Sequence, residues 1–268
     1  MTLKISQLTQ VVAGSLDGTE PVELGIPGDK NAPNGAFLPP GYIDGLKMQW
    51  VGPQAITVTS GAAYVPSLGR VIRVPNAIAL AGLVLAASTW YHLYLYSNAG
   101  VPAIECVTTA PASAYNGTAR AKTGDTSRRY VGSVLTDASG NIVNFIQSGN
   151  HVAYRVVGGV APFRLVAGAN NTATATANAS SVVPVTSFNA TVQLYNFDNA
   201  GGSNMGTGTS DATGTGAGNN GICLVRAQAT AFVQHPLDSA QSLTYWFSAP
   251  PLGTTGMFID LFGYLYER

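Results

Sequence analysis

Ten residues near the end of the chain, Met257 to Tyr266, alternate as only an extended strand does. Met257, Ile259, Leu261 and Leu265 fall on one side with Gly263 among them, and Phe258, Asp260, Phe262, Tyr264 and Tyr266 fall on the other. A chain end frays unless a sheet ties it down. A strand this apolar therefore predicts that the chain closes on a β-domain. A one-sided sheet leaves one face of such a strand needing cover, so Phe258, Phe262, Tyr264 and Tyr266 are expected at a subunit interface. Asp260 then lies at the seam, and an isolated monomer is not expected to be stable.

The rest of the chain supports an all-β reading. Ile56–Thr59, Ala62–Val65, Arg70–Val74, Trp90–Tyr96, Tyr130–Leu135 and Ile142–Ile146 read as strands joined by Gly, Pro, Ser and Asn turns. No stretch carries a convincing amphipathic helix. Residues 1–45 are punctuated by glycine and proline and are expected to form an extended arm, ordered only against a partner. Residues 46–148 form a central β-domain and residues 149–170 a linker. Residues 171–268 then read as a C-terminal β-sandwich of jelly-roll type. Within it residues 199–221 are rich in Gly, Ser, Thr and Asn, and a loop this long is usually functional.

Composition narrows the function. Only 10% of residues are charged, against about 25% in an average soluble domain, while 46% are hydrophobic. Thirteen basic residues balance thirteen acidic ones, so the chain has no polyanion-binding field and no nucleic-acid partner is expected. The apolar run Ala77–Tyr96 is broken by Ser88, Thr89 and His92, so strands are expected there and not membrane insertion. No apolar core follows Lys4, so no signal peptide is expected. Cys106 and Cys223 fit neither a metal motif nor a disulfide framework and read as small buried apolar residues.

No catalytic or cofactor motif appears. His92, His151 and His235 lack metal-ligand spacing, and no phosphate loop or nucleophile elbow is present. Asp198, Asp211, Asp238, Asp260 and Glu267 are the acids of the C-terminal region, and most sit beside turn residues. A glycan-cleaving acid pair is the lesser alternative. The cluster Arg120, Lys122, Arg128 and Arg129 is expected in a solvated loop or in ion pairs between subunits. Tyr245, Trp246, Phe247 and Tyr264 are expected to pack in a core or interface more than to stack on sugars.

Three segments resemble bacteriophage tail-fibre or receptor-binding proteins. Ile5-Ser6-Gln7-Leu8 with Leu16–Val22 is similar to the virion-docking segment at the start of many phage tail proteins. Ser60–Pro66, Trp90–Tyr94, Ser127–Gly132 and Thr136–Gly140 resemble a β-module recurrent in such proteins. Ile259–Tyr264 resembles the last strand of fibre tips. The resemblance implies a homotrimer in the virion, made in the bacterial host cytoplasm, without cofactors or catalysis. Its partners would be other tail or baseplate proteins and a host-surface glycan or protein. Docking is then expected of Ile5, Leu8, Leu16, Val22 and Leu24, and receptor contact of Asn204, Met205, Asp211 and Asn219. The chain is short for a long fibre and has no heptad shaft. A purely architectural baseplate, collar or adaptor role is the alternative.

Overall fold

The computed structural model describes residues 38–155, 162–199, 202–210, 221–251 and 256–268, and the backbone of two short strands, Pro21–Val22 (β1) and Ala32–Pro33 (β2). Ile5, Leu8, Leu16 and Leu24 lie outside the described residues; Val22 pairs with Ala32. The expectation of an all-β chain holds, and every strand pairing is antiparallel. Among the described residues no helix is long and apolar enough to cross a membrane.

The first part of the fold contains three small sheets. Ile43–Gly45 (β3) pairs with Gly61–Val65 (β6), which a 3-10 turn at Pro66–Leu68 joins to Arg70–Val74 (β7). Met48–Gly52 (β4), Ala55–Val58 (β5) and Ile78–Leu80 (β8) form the second. Trp90–Asn98 (β9), Val101–Val107 (β10), Ala121–Lys122 (β11) and Asp125–Leu135 (β12) form the third, in the order β10-β9-β12-β11. Ile43–Gly45 thus belongs to a sheet, within the stretch 1–45 expected to be an extended arm.

The stretch read as a linker is largely strand. Phe145–Ser148 (β13), His151–Tyr154 (β14) and Phe163–Ala169 (β15) join Ser187–Asn196 (β17), Ala229–Pro236 (β20) and Met257–Tyr266 (β22) in one six-stranded sheet. Both β14 and β15 pair with β22, at His151–Ala153 and Phe163–Ala169 respectively. Glycines suggested a connector, but Gly168 adopts a positive φ of 64° at an irregular step of the pairing, a bulge use that sequence alone does not separate from a loop. Ala175–Asn178 (β16), Met205–Gly208 (β18), Cys223–Val225 (β19) and Ser242–Phe247 (β21) complete a four-stranded sheet. The 199–221 tract therefore holds a strand, with residues 211–220 outside the described residues.

Strand β22 departs from its expected alternation. Val192 pairs with Leu261 and Thr191 with Gly263, leaving Phe262 as the extra residue of a β-bulge. The phase switches there. Met257, Ile259 and Leu261 face the core before the bulge, and Tyr264 and Tyr266 face it afterwards, with Tyr264 1% and Tyr266 0% exposed. Tyr264 and Tyr266 are thus not available as interface residues. Their rings pack on Trp90, Tyr130 and Tyr154, and their hydroxyls donate to the carbonyls of Ser133 and Val131, each at 3.1 Å. The last strand joins the C-terminal sheet to β12, and a single apolar cluster runs through both parts.

Candidate interaction face

The outward face of the six-stranded sheet is set by register. Arg164 pairs with Asp260, Asp260 with Gln193 and Gln193 with Phe232, making one row across β15, β22, β17 and β20. Phe258, Tyr195 and Thr230 form the next. Phe262, pushed out by the bulge, lies 5.6 Å from Phe232 with rings inclined at 60°. At the other end Phe197 stacks on Tyr195 at 5.7 Å and meets Phe258 edge-on at 5.4 Å. Phe232 is 65% exposed and Phe197 48%. Below Tyr195 and Phe197 a hollow of about 290 Å³ is bordered by Asn199, Gln228 and Thr230.

One charged pair lies in this face. The Arg164 guanidinium donates from Nε to Asp260 Oδ1 at 2.7 Å and from Nη2 to Oδ2 at 2.9 Å, the two-pronged geometry that favours arginine. The guanidinium also covers the Phe258 ring at 4.8 Å. Hydrogen bonding to Asp260, reinforced by its charge, raises the Arg164 pKa above its ordinary value. The Tyr195 phenol is raised too, by burial and then by the Asp260 charge. Asp260 is buried while the Arg164 side chain is half exposed. Both carboxylate oxygens of Asp260 are thus engaged by one arginine. The pair orders the face.

The other sequence candidates separate. Met205 is fully buried in β18 and is no receptor contact, because its strand lies inside the four-stranded sheet between β19 and β21. Asn204 is half-buried, its backbone exchanging bonds of 2.9 Å with Ser248. Asp211 and Asn219 lie outside the described residues. Phe258 and Phe262 remain partly exposed on the face. Tyr245, Trp246 and Phe247 lie in β21, with Trp246 and Phe247 buried. Asp198 is buried and accepts from the Ser203 hydroxyl at 2.6 Å.

Of the basic cluster, Lys122, Arg128 and Arg129 lie on strands while Arg120 directly precedes β11, and the cluster finds its partners within the chain. Arg120 meets Glu267 at 2.7 Å, Lys122 meets Glu105 at 2.9 Å, and Arg128 meets Glu105 at 3.3 Å. Arg129 is fully buried and donates to the carbonyls of Arg120, Tyr130 and Gly41. The three histidines stay apart, and among the described residues no three His, Cys, Asp or Glu side chains approach closely enough to hold a metal. His92 is buried against Ser133, its Nδ1 2.7 Å from the hydroxyl, and burial lowers its pKa to about 4.

Sequence reasoning missed Arg164, Tyr195, Phe197 and Phe232 as members of the face. The alternation of β20 was visible, but which of its sides turns outward depends on pairing with β17. No protein-family model matches the chain, and no curated protein matches it in sequence.

Proposed function

We propose that the chain is a non-catalytic structural protein of a bacteriophage tail, a short fibre or receptor-binding component. It docks on the tail through its N-terminal residues and turns its C-terminal sheets toward the host surface. Copies assemble about a common axis, three in the arrangement that the resemblance implies. The observation that carries this reading is the outward aromatic face of the six-stranded sheet. Phe197, Phe232, Phe258 and Phe262 share it with Tyr195 and one arginine–aspartate pair, and such a surface on a weakly charged chain calls for a protein or glycan cover. The engagement of Asp260 by Arg164 and of Asp198 by Ser203 supports a role without acid–base chemistry.

The test is adsorption. Purified full-length protein should coat host cells and block infection by the parent phage, and antibodies against it should label tails in electron micrographs. Label on tails without coating or block would favour the architectural alternative. Absence of label from virions would end the tail reading.

A further inference from the structure

Among the described residues, strand β20 is the outer edge of the six-stranded sheet and has β17 as its one partner strand. Its eight-residue ladder with β17 runs from Asn189–Pro236 to Asn196–Ala229 without a register shift. Leu237 N–H donates to the Phe188 carbonyl at 2.9 Å just beyond that ladder. Residues of the same parity, Ala231, Val233 and His235, therefore turn their backbone groups toward β17. Thr230, Phe232 and Gln234 turn theirs away. Among the described residues no backbone group meets these outward N–H and C=O groups.

Natural edges are blunted by lysine, proline, bulges or short length. Here Ala229–Gln234 holds none of these and no charge, and His235 is buried with its pKa lowered by burial. The free segment is bounded on both sides. Gln228 adopts a left-handed φ of 57° and bends the chain away before Ala229. Pro236, which is of the outward parity, has no N–H to offer. Three outward residues remain, and Phe232 is their centre.

We propose that β20 is a self-pairing edge, docking antiparallel on β20 of a second copy with Phe232 on the two-fold axis. In this register Phe232 exchanges both backbone bonds with its counterpart, and Thr230 pairs with Gln234 in each direction. Every outward donor and acceptor of the segment is used. The arrangement is isologous, one edge meeting itself, and no like charges oppose one another. The two Phe232 rings meet across the axis, and each already carries Phe262 at 5.6 Å, so the aromatic face continues from one copy to the next. A two-fold junction joins copies in pairs. Where three copies share another axis, it joins one trimer to a second, so the particle holds an even number of chains.

The experiment uses the full chain. Native mass spectrometry and light scattering should give two or six copies, and hydrogen exchange should find the Thr230, Phe232 and Gln234 amides protected in a concentration-dependent way. Because residue 232 faces itself, Phe232→Lys places two ammonium groups together and should weaken association at least tenfold. Phe232→Glu should do the same, and mixing the two variants should restore pairing as a heterodimeric junction. Phe232 is 65% exposed, and melting temperatures of both variants check that folding survives. A monomer, a particle of three copies with these amides exchanging freely, or failure of the mixed variants to re-associate would each overturn the junction. Three copies would still agree with the tail-fibre reading, which adsorption tests separately.

Discussion

Tyr264, with Tyr266, is a residue through which the last strand holds the two parts of the chain together, and its removal should be felt as lost cooperativity. The side chain is 1% exposed and its ring lies 6.1 Å from Trp90, 5.8 Å from Tyr154 and 5.9 Å from Tyr266. Truncating a buried aromatic to alanine costs about 3–5 kcal/mol in transfer and cavity terms. Tyr264→Phe removes the hydroxyl alone and leaves the Ser133 carbonyl without its donor, a loss of about 1–3 kcal/mol. At roughly 2–4 °C per kcal/mol for a chain of about this size, the alanine variant should melt at least about 6 °C lower. Calorimetry and urea titration followed by tryptophan fluorescence measure both. An interface role for Tyr264 predicts a shift that depends on protein concentration, since association stabilises by mass action. The intrachain core predicts the same shift at every concentration. A loss below about 1 kcal/mol for Tyr264→Ala, or two separate transitions in the unaltered protein, would refute the argument.

Three further outcomes follow from named contacts. Burial holds His92 neutral down to about pH 4, whereas the unfolded chain protonates it near pH 6.5, so the unfolded state binds more protons in between. Stability should therefore be fully present above about pH 6.5 and fall by about 3 kcal/mol as the pH drops to about 4; urea midpoints for wild type and His92→Gln across that window isolate the contribution. A Cβ at Gly263 would sit 2.4 Å from the Val152 carbonyl and 3.0 Å from Ala153 Cα, so Gly263→Ala should cost about 2–3 kcal/mol by prising β14 from β22. Gly52→Ala, with nothing within 4 Å, is the matched control and should stay within about 0.5 kcal/mol. Burial raises the Cys106 thiol to about 11 and also raises Cys223, so alkylation at pH 8 should be slow in the native protein and fast in denaturant, as mass spectrometry would count.

What the sequence made legible was local, and what it hid was set by pairing. Period-two alternation suits β17, whose buried face is steady from Ala190 to Asn196, whereas β9, β12 and β21 are buried on both faces over most of their length and were legible as short apolar runs between turns. The same rule misplaced the second half of β22. A bulge is invisible to periodicity when both faces are apolar, and the switch at Phe262 exists because Gly263 lets Val152 and Ala153 approach from β14 while β17 keeps its own phase. Glycine misled in a second way. In the tract read as loop, Gly206 lies on a strand whose four residues are all buried, and a Cβ there would meet the Trp246 indole at 2.5 Å. Its missing side chain is the space into which a tryptophan packs. Arg129 inverts the usual expectation for charge: three backbone carbonyls and the Tyr115 ring surround its guanidinium, and burial lowers its pKa. Its environment comes from residues 41, 115 and 120, far apart or out of phase in the chain, so no window around Arg129 signals it. The interaction face has the same character. Arg164, Gln193, Phe232 and Asp260 come together because four strands bring single residues into one row, and all but Asp260 look unexceptional within their own strands.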